Sequence, residues 1–151
     1  MSTAAVYLLD KITGILEAEL NTGSVFDIQR RILPRSNKRE RNKPEIFVSL
    51  NAMSSIEQSR SENLLQYIVA VTLVQPARSE TKQEEALGNV EAISSTLLKP
   101  EYKMLTTTED SAQYCFQPPF TVDPIFDPDA LNEQSTFLTV QLFNYLKLKG
   151  I

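Results

Sequence analysis

The chain predicts an α+β fold in which two main helices pack on a four-stranded, mainly antiparallel sheet, with a long basic loop. Three patterns carry that expectation. Apolar residues recur every three or four positions over 2–20 and 80–98, the period of a helix with one buried face. Four stretches rich in β-branched and aromatic residues lie at 45–51, 63–75, 112–126 and 135–148. The run strand, strand, helix, strand, strand excludes a doubly wound parallel sheet, which needs a helix after each strand. At 151 residues, the chain has the length of one domain spanning 1–151 and can bury a core without staples.

In the first helix, Val6, Leu9, Ile12, Leu16 and Leu20 form the stripe, and Leu8 and Ile15 widen it. Ser2 or Thr3 is placed to cap its start. Asn21, Thr22 and Gly23 end it, because Asn and Gly tolerate the left-handed cap.

Residues 21–44 show little periodicity and read as a basic arm. Arg30, Arg31, Arg35, Lys38, Arg39, Arg41 and Lys43 face a single acid, Glu40, over 30–43, a net +6. The rest of the chain holds 8 basic and 18 acidic residues, a net −10, which restores the overall −4. Pro34 and Pro44 bracket the core of the arm and discourage a continuous helix.

Ile46, Val48 and Leu50 point one way from the strand at 45–51, with Phe47 and Ser49 on its other face. The serine-rich stretch from Ala52 to Arg60 reads as a loop. Residues 63–75 are apolar on both faces, the mark of a central strand covered on both sides. Pro76 ends that strand. Leu87, Val90, Ile93, Leu97 and Leu98 define the second helix, Thr81 with Glu84 spells a capping box, and Pro100 stops it. Pro118 and Pro119 divide 112–117 from 120–126, since proline cannot donate to a ladder. Asp123, Pro124, Asp127, Pro128 and Asp129 mark turns. The last strand alternates Leu138, Val140, Leu142, Leu146 and Leu148 with Phe137, Thr139, Gln141, Phe143 and Tyr145. Two strands exceed the usual five or six residues or so, which suits a projecting hairpin or an interface.

The chain offers little for catalysis. It has no histidine, the commonest general base and zinc ligand, and only four glycines, so no phosphate-cradling loop is spelled. Ser54, Ser55, Ser59 and Ser61 have no histidine to activate them. Cys115 sits beside Phe116 in an apolar strand and reads as a small packing residue, and alone it forms no internal disulfide. Asp123, Asp127 and Asp129 lack the glycine that a sharp calcium loop needs. The pairs Glu84 with Glu85 and Glu109 with Asp110 read as solvated acids, and Phe116, Phe120 and Phe126 as core rather than a partner patch. No catalytic residue, metal or cofactor is expected.

No basic residue precedes the first apolar stretch, and Asp10 and Lys11 interrupt it, so neither a signal peptide nor a membrane span is spelled. The expectation is a protein kept in a reducing cytoplasm. What remains is the segregated charge. Seven clustered cations on an acidic body suit contact with an acidic protein surface, and residues 30–43 hold no aromatic residue to stack bases.

In its organisation the chain resembles the tail-terminator and head-to-tail joining proteins of tailed bacteriophages, of the lambda U type. The likeness runs from the amphipathic helix ending at Leu20 through the basic arm to a strand opening on Pro44, Glu45, Ile46, Phe47 and Val48. It continues with a loop holding Arg60, the long strand from Tyr67 to Val74, the helix at 81–98 and the last strand at 136–148. The Pro118–Pro119 break and the long basic arm depart from that plan.

The resemblance implies a non-enzymatic virion protein: a tail terminator or neck component whose homohexameric ring caps the tail tube and joins it to the head connector. It implies as partners the chain itself, the tail tube protein and the head-tail connector protein, with DNA passing through the ring and no membrane. The site would be the virion tail or neck, assembled in the host cytoplasm, with the basic arm as the partner-binding element. A monomeric adaptor or assembly-chaperone module binding another structural protein is the alternative.

Overall fold

The computed structural model describes residues 3–21, 25–31, 44–57, 63–122, 127 and 136–149. Two α-helices, α1 (Ala4–Leu20) and α2 (Glu80–Leu97), accompany six strands: β1 (Asp27–Arg30), β2 (Glu45–Glu57), β3 (Asn63–Pro76), β4 (Met104–Thr107), β5 (Ala112–Thr121) and β6 (Thr136–Lys149). The strands form one mixed sheet in the order β1-β2-β3-β6-β5-β4. Only β1 pairs in parallel, with β2; the other neighbours are antiparallel.

The four-stranded expectation is therefore corrected to a six-stranded, curled, mixed sheet, although the α+β class stands. Both unforeseen strands are four residues long and lie at the sheet edges. Too short to show a period, they exist because β2 and β5 offer them a ladder. The amide of Asp27 donates to Pro44 O at 2.8 Å and that of Arg31 to Val48 O at 2.9 Å, which extends the β1 ladder at both ends.

Strand β2 also runs on to Glu57, through what reads in sequence as a loop. Its register with β3 shifts between Leu50 and Ala52, and residues 51–55 beyond the shift are exposed. In β5 the two prolines do not break the strand. They fall within the register shift between Gln117 and Thr121, past the four residues paired with β4, so the missing N–H groups cost no ladder bond on that side.

The helix caps follow local chemistry. Thr3 caps α1, its hydroxyl accepting from the amide of Val6 at 3.4 Å. Asn21 ends α1 without a left-handed turn, at φ −106°. Instead its side chain grips Phe26: Oδ1 accepts from the Phe26 amide at 2.8 Å, and Nδ2 donates to the Phe26 carbonyl at 3.0 Å. The cap of α2 is Ser79, not Thr81; its hydroxyl accepts from the amide of Lys82 at 3.2 Å. The buried stripe of α2 is Ala86, Val90, Ile93 and Leu97, which turns Leu87 outward.

One face of the sheet meets both helices. Ile46 and Val48 of β2, Val69, Val71 and Leu73 of β3, and Phe143 and Tyr145 of β6 pack with Leu8, Leu9, Ile12 and Leu16 of α1 and Val90, Ile93 and Leu97 of α2. Edge-to-face ring pairs tie the far half together, Tyr67 to Tyr114 at 5.7 Å and Phe116 to Tyr145 at 5.9 Å between centroids. Helix α1 packs against α2, β1, β2 and β4. The sheet thus curls until both of its edges reach the same helix. Strand β3 is buried on both faces from Val69 to Gln75, as its composition predicts.

Candidate functional site

The predicted site begins where the basic arm leaves the sheet. Arg30 and Arg31 end β1 and its continuation, and the alternation of a strand sends their side chains to opposite faces. Arg30 turns towards α1, where its Nε donates to Asp10 Oδ1 at 2.6 Å in a half-exposed ion pair. Arg31 turns to the opposite face, its guanidinium carbon 5.3 Å from the centroid of the Phe47 ring. Its Nε is buried without a hydrogen-bond partner among the described residues. Of the other predicted residues, Arg35, Lys38, Arg39, Arg41 and Lys43 lie outside the described residues. At this neck the bonds Asp27 to Pro44 and Arg31 to Val48 lie at opposite ends of β1, so the arm leaves from one end of the parallel pair and returns at the other.

Beside this neck runs a groove of about 470 Å³ between α1 and the β4 edge. Tyr7, Asp10, Lys11, Gly14, Ile15 and Ala18 form its α1 side. Across from them stand Tyr102, Thr106, Thr107, Thr108 and Glu109. A Cβ added at Gly14 would meet nothing within 4 Å, so the fold itself does not require glycine there.

A short network holds the Tyr102 side of the groove to α1. Lys99 Nζ donates to Glu19 Oε2 and the Tyr102 hydroxyl to Glu19 Oε1, both at 2.7 Å. The bond from Lys99, then that from Tyr102, holds the Glu19 carboxyl below its usual range. The same carboxylate pushes the Tyr102 phenol up to about 12. Tyr102 therefore remains a hydrogen-bond donor throughout the neutral range.

The turn after β4 explains one of the acid pairs. Asp110 accepts from the Thr107 hydroxyl and, at 3.3 Å, from the Ala112 amide. It supports Ser111, whose φ of 55° is positive. Asp110 thus shapes the turn, while Glu109 faces the groove. On α2, Glu85 pairs with Lys82 at 3.3 Å on an exposed surface. Cys115 is half-buried in β5, and Phe116 belongs to the aromatic cluster. Among the described residues no three His, Cys, Asp or Glu side chains gather as metal ligands. Asp123 and Asp129, Ser59 and Ser61, and Phe126 lie outside the described residues, as does the side chain of Phe120. No described helix is long and apolar enough to cross a membrane.

Sequence reasoning did not anticipate the groove. Its β4 wall belongs to a strand too short to show a period, and its α1 wall is the helix's polar side. Gly14 inside a helical pattern was the one available signal, because glycine weakens a helix by about 1 kcal/mol relative to alanine.

No protein-family model matches the chain, and no curated protein matches it. Solved structures do. One is a chain of the virion of the native gene transfer agent (GTA) particle, 11% identical, with a TM-score of 0.54 over 97% of this chain and 98% of that one. A second solved structure is 12% identical, with a TM-score of 0.51 over 93% of this chain and 95% of that one. At such identities the likeness is one of fold, and it extends over nearly the full length of both chains.

Proposed function

We propose that this chain is a virion structural protein. In the finer reading it is a tail terminator or neck component that closes into a homohexameric ring, caps the tail tube and joins it to the head connector. The observation that carries the proposal is the end-to-end likeness of fold to a chain of the GTA virion, which leaves little of either chain unmatched. The reading is non-enzymatic and assigns no cofactor.

The physics of the surface supports it. A head-to-tail interface closes into a ring when its rotation closes. The sheet has two different edges, β1 and β4, and among the described residues neither has a second partner strand. The charge is also two-sided, a +6 segment at 30–43 on a body of −10. Neighbours in a ring would juxtapose these opposite signs. The acidic body would also let DNA pass without adhering.

Light scattering across protein concentration and salt tests the ring. A species near six protomers, or a monomer–hexamer mixture that dissociates as salt rises, is expected. Reversing Arg39, Arg41 and Lys43 together to glutamate should weaken assembly and leave the monomer folded. A strict monomer, even with tail tube protein added, would replace this reading with that of a monomeric adaptor.

A further inference from the structure

We propose that the outer edge of β2 beyond Leu50 pairs with β4 of a second copy of this chain, so that the two sheets join edge to edge. The inference rests on the ring reading and names the strands that make its contact.

The second half of β2 is an open template. Strand β1 covers β2 only from Glu45 to Val48, and among the described residues no strand flanks its outer side from Ala52 to Glu57. The β2–β3 ladder still runs on to Glu57 and Asn63, whereas β6 leaves β3 at Gln66. A two-stranded ribbon therefore stands out from the sheet, and such a ribbon is marginal in water by itself. Residues 51–55 are all exposed, on both faces of the ribbon. Met53 is 57% exposed, and Leu65, its diagonal neighbour across the ladder, 38%. Edge strands are ordinarily guarded by charges, prolines or bulges. From Ala52 to Ile56 this one has none; its register shift falls just before, between Leu50 and Ala52.

The same chain carries the complementary edge. Among the described residues β4 pairs only with β5; its four residues are uncharged, and Met104 is 45% exposed. The ladders set the two edges at one height. Ser54 pairs with Gln66, Gln66 with Leu146, Leu146 with Cys115 and Cys115 with Met104. Ser54–Glu57 and Met104–Thr107 thus begin on one row, at opposite sides of the sheet, and run in the same direction. A second copy can lay its β4 beside Ser54–Glu57 as a parallel strand, with no slide along the strands. The fold already does this once, since β1 is a four-residue strand parallel to β2 on that same side. Opposite edges of one sheet meet in the contact, so it is head-to-tail and can repeat around a ring.

The groove between α1 and β4 leaves room for the incoming strand. Thr106 and Thr107 point to opposite faces of β4 yet both line the groove, which places it along the strand's outer edge. Gly14 and Ala18 keep the α1 wall low there. The acids Asp10 and Glu109 are matched by Lys11 and by Arg30 on Asp10, a balance that suits an uncharged strand.

Lysine on an edge guards it against pairing. Ser55→Lys and Thr106→Lys should each weaken self-association by roughly tenfold in light scattering, with circular dichroism and Tm retained. A cysteine pair reads the register. In a Cys115→Ala background, Ser54→Cys combined with Met104→Cys should give disulfide-linked oligomers on oxidation, because facing residues of paired strands lie within disulfide reach. Within one chain the two positions stand four strand spacings apart, about 19 Å along the sheet, and cannot bridge. Neither cysteine alone should cross-link.

Unchanged assembly of both lysine variants, with no cross-linking of the cysteine pair, would overturn the contact and leave the ring standing. Dimers formed by Ser54→Cys alone would overturn it in favour of a two-fold pairing of ribbon with ribbon. A wild type that stays monomeric with tail tube protein present would overturn the ring and this contact with it.

Discussion

Arg31 carries its guanidinium carbon 5.3 Å from the centroid of the Phe47 ring, on the sheet face away from both helices. Phe47 is 1% exposed and pairs across to Thr72. The root of the basic arm is thus part of the protein's packing, whereas its neighbour Arg30 sits in a surface ion pair with Asp10. Arg31→Ala should lower stability by about 1 kcal/mol through the lost cation–π contact and side-chain packing. Arg30→Ala should change it by less than about 0.5 kcal/mol, as exposed pairs do. Urea midpoints of the two variants measure the difference, and equal midpoints would contradict the split.

Tyr145 has its hydroxyl buried in the core with no hydrogen-bond partner among the described residues. Tyr145→Phe removes that unmet group and keeps the ring against Phe116. Stability at neutral pH should rise by about 1 kcal/mol. Burial also pushes the Tyr145 phenol well above 10. A raised folded value means that the contribution is fully present below the unfolded value near 10 and is lost as pH rises beyond it. The wild type should therefore lose stability above about pH 10, and Tyr145→Phe should lose about 1.4 kcal/mol less per pH unit there. Urea unfolding in an alkaline series reads both effects.

Glu19 joins α1 to the turn at 100–102 through Lys99 and Tyr102. Glu19→Gln removes the charge that pushes the Tyr102 phenol up to about 12. Tyrosinate absorbance should then show one phenol titrating lower, towards 10. The Glu19 carboxyl is held low, so its contribution is present above its unfolded value of 4.5 and fades as pH falls through the folded one. All of these groups reach solvent, and the phenol titration is the sensitive measurement. An unchanged tyrosine titration would show that the Glu19–Tyr102 bond does not persist in solution.

Two capping residues compete at the start of α2. Ser79 receives the Lys82 amide, whereas Thr81 lies inside the helix. Ser79→Ala should cost about 1 kcal/mol and Thr81→Ala should be near neutral. Thermal unfolding of the pair decides which residue caps, and the reverse order would restore the Thr81 box.

The long elements were legible because burial leaves a period in them. The stripe of α1 from Leu8 to Leu16 and the doubly apolar β3 each lie where their patterns put them. A helical period alone could not fix the phase of α2. Leu87 matches the spacing but is 43% exposed, and Ala86 is buried in its place. The candidate site was legible only at its root. Arg30 and Arg31 stood out as charge, but nothing local tells that one turns to Asp10 and the other to Phe47.

By itself the sequence determined the class of the fold, the two helices, the long strands and the separation of a basic arm from an acidic body. Each of those is a property of composition or local period. The tertiary structure decided the rest: the short edge strands β1 and β4, the continuity of β5 through Pro118 and Pro119, and the groove between α1 and β4. A four-residue strand has no stability of its own and forms only where a neighbour presents an open ladder. Likewise, prolines are tolerated in a strand only where one side of it lacks a partner. The groove exists because a curled sheet brings its far edge back to the helix that packs on its near edge, a closure among residues about ninety positions apart.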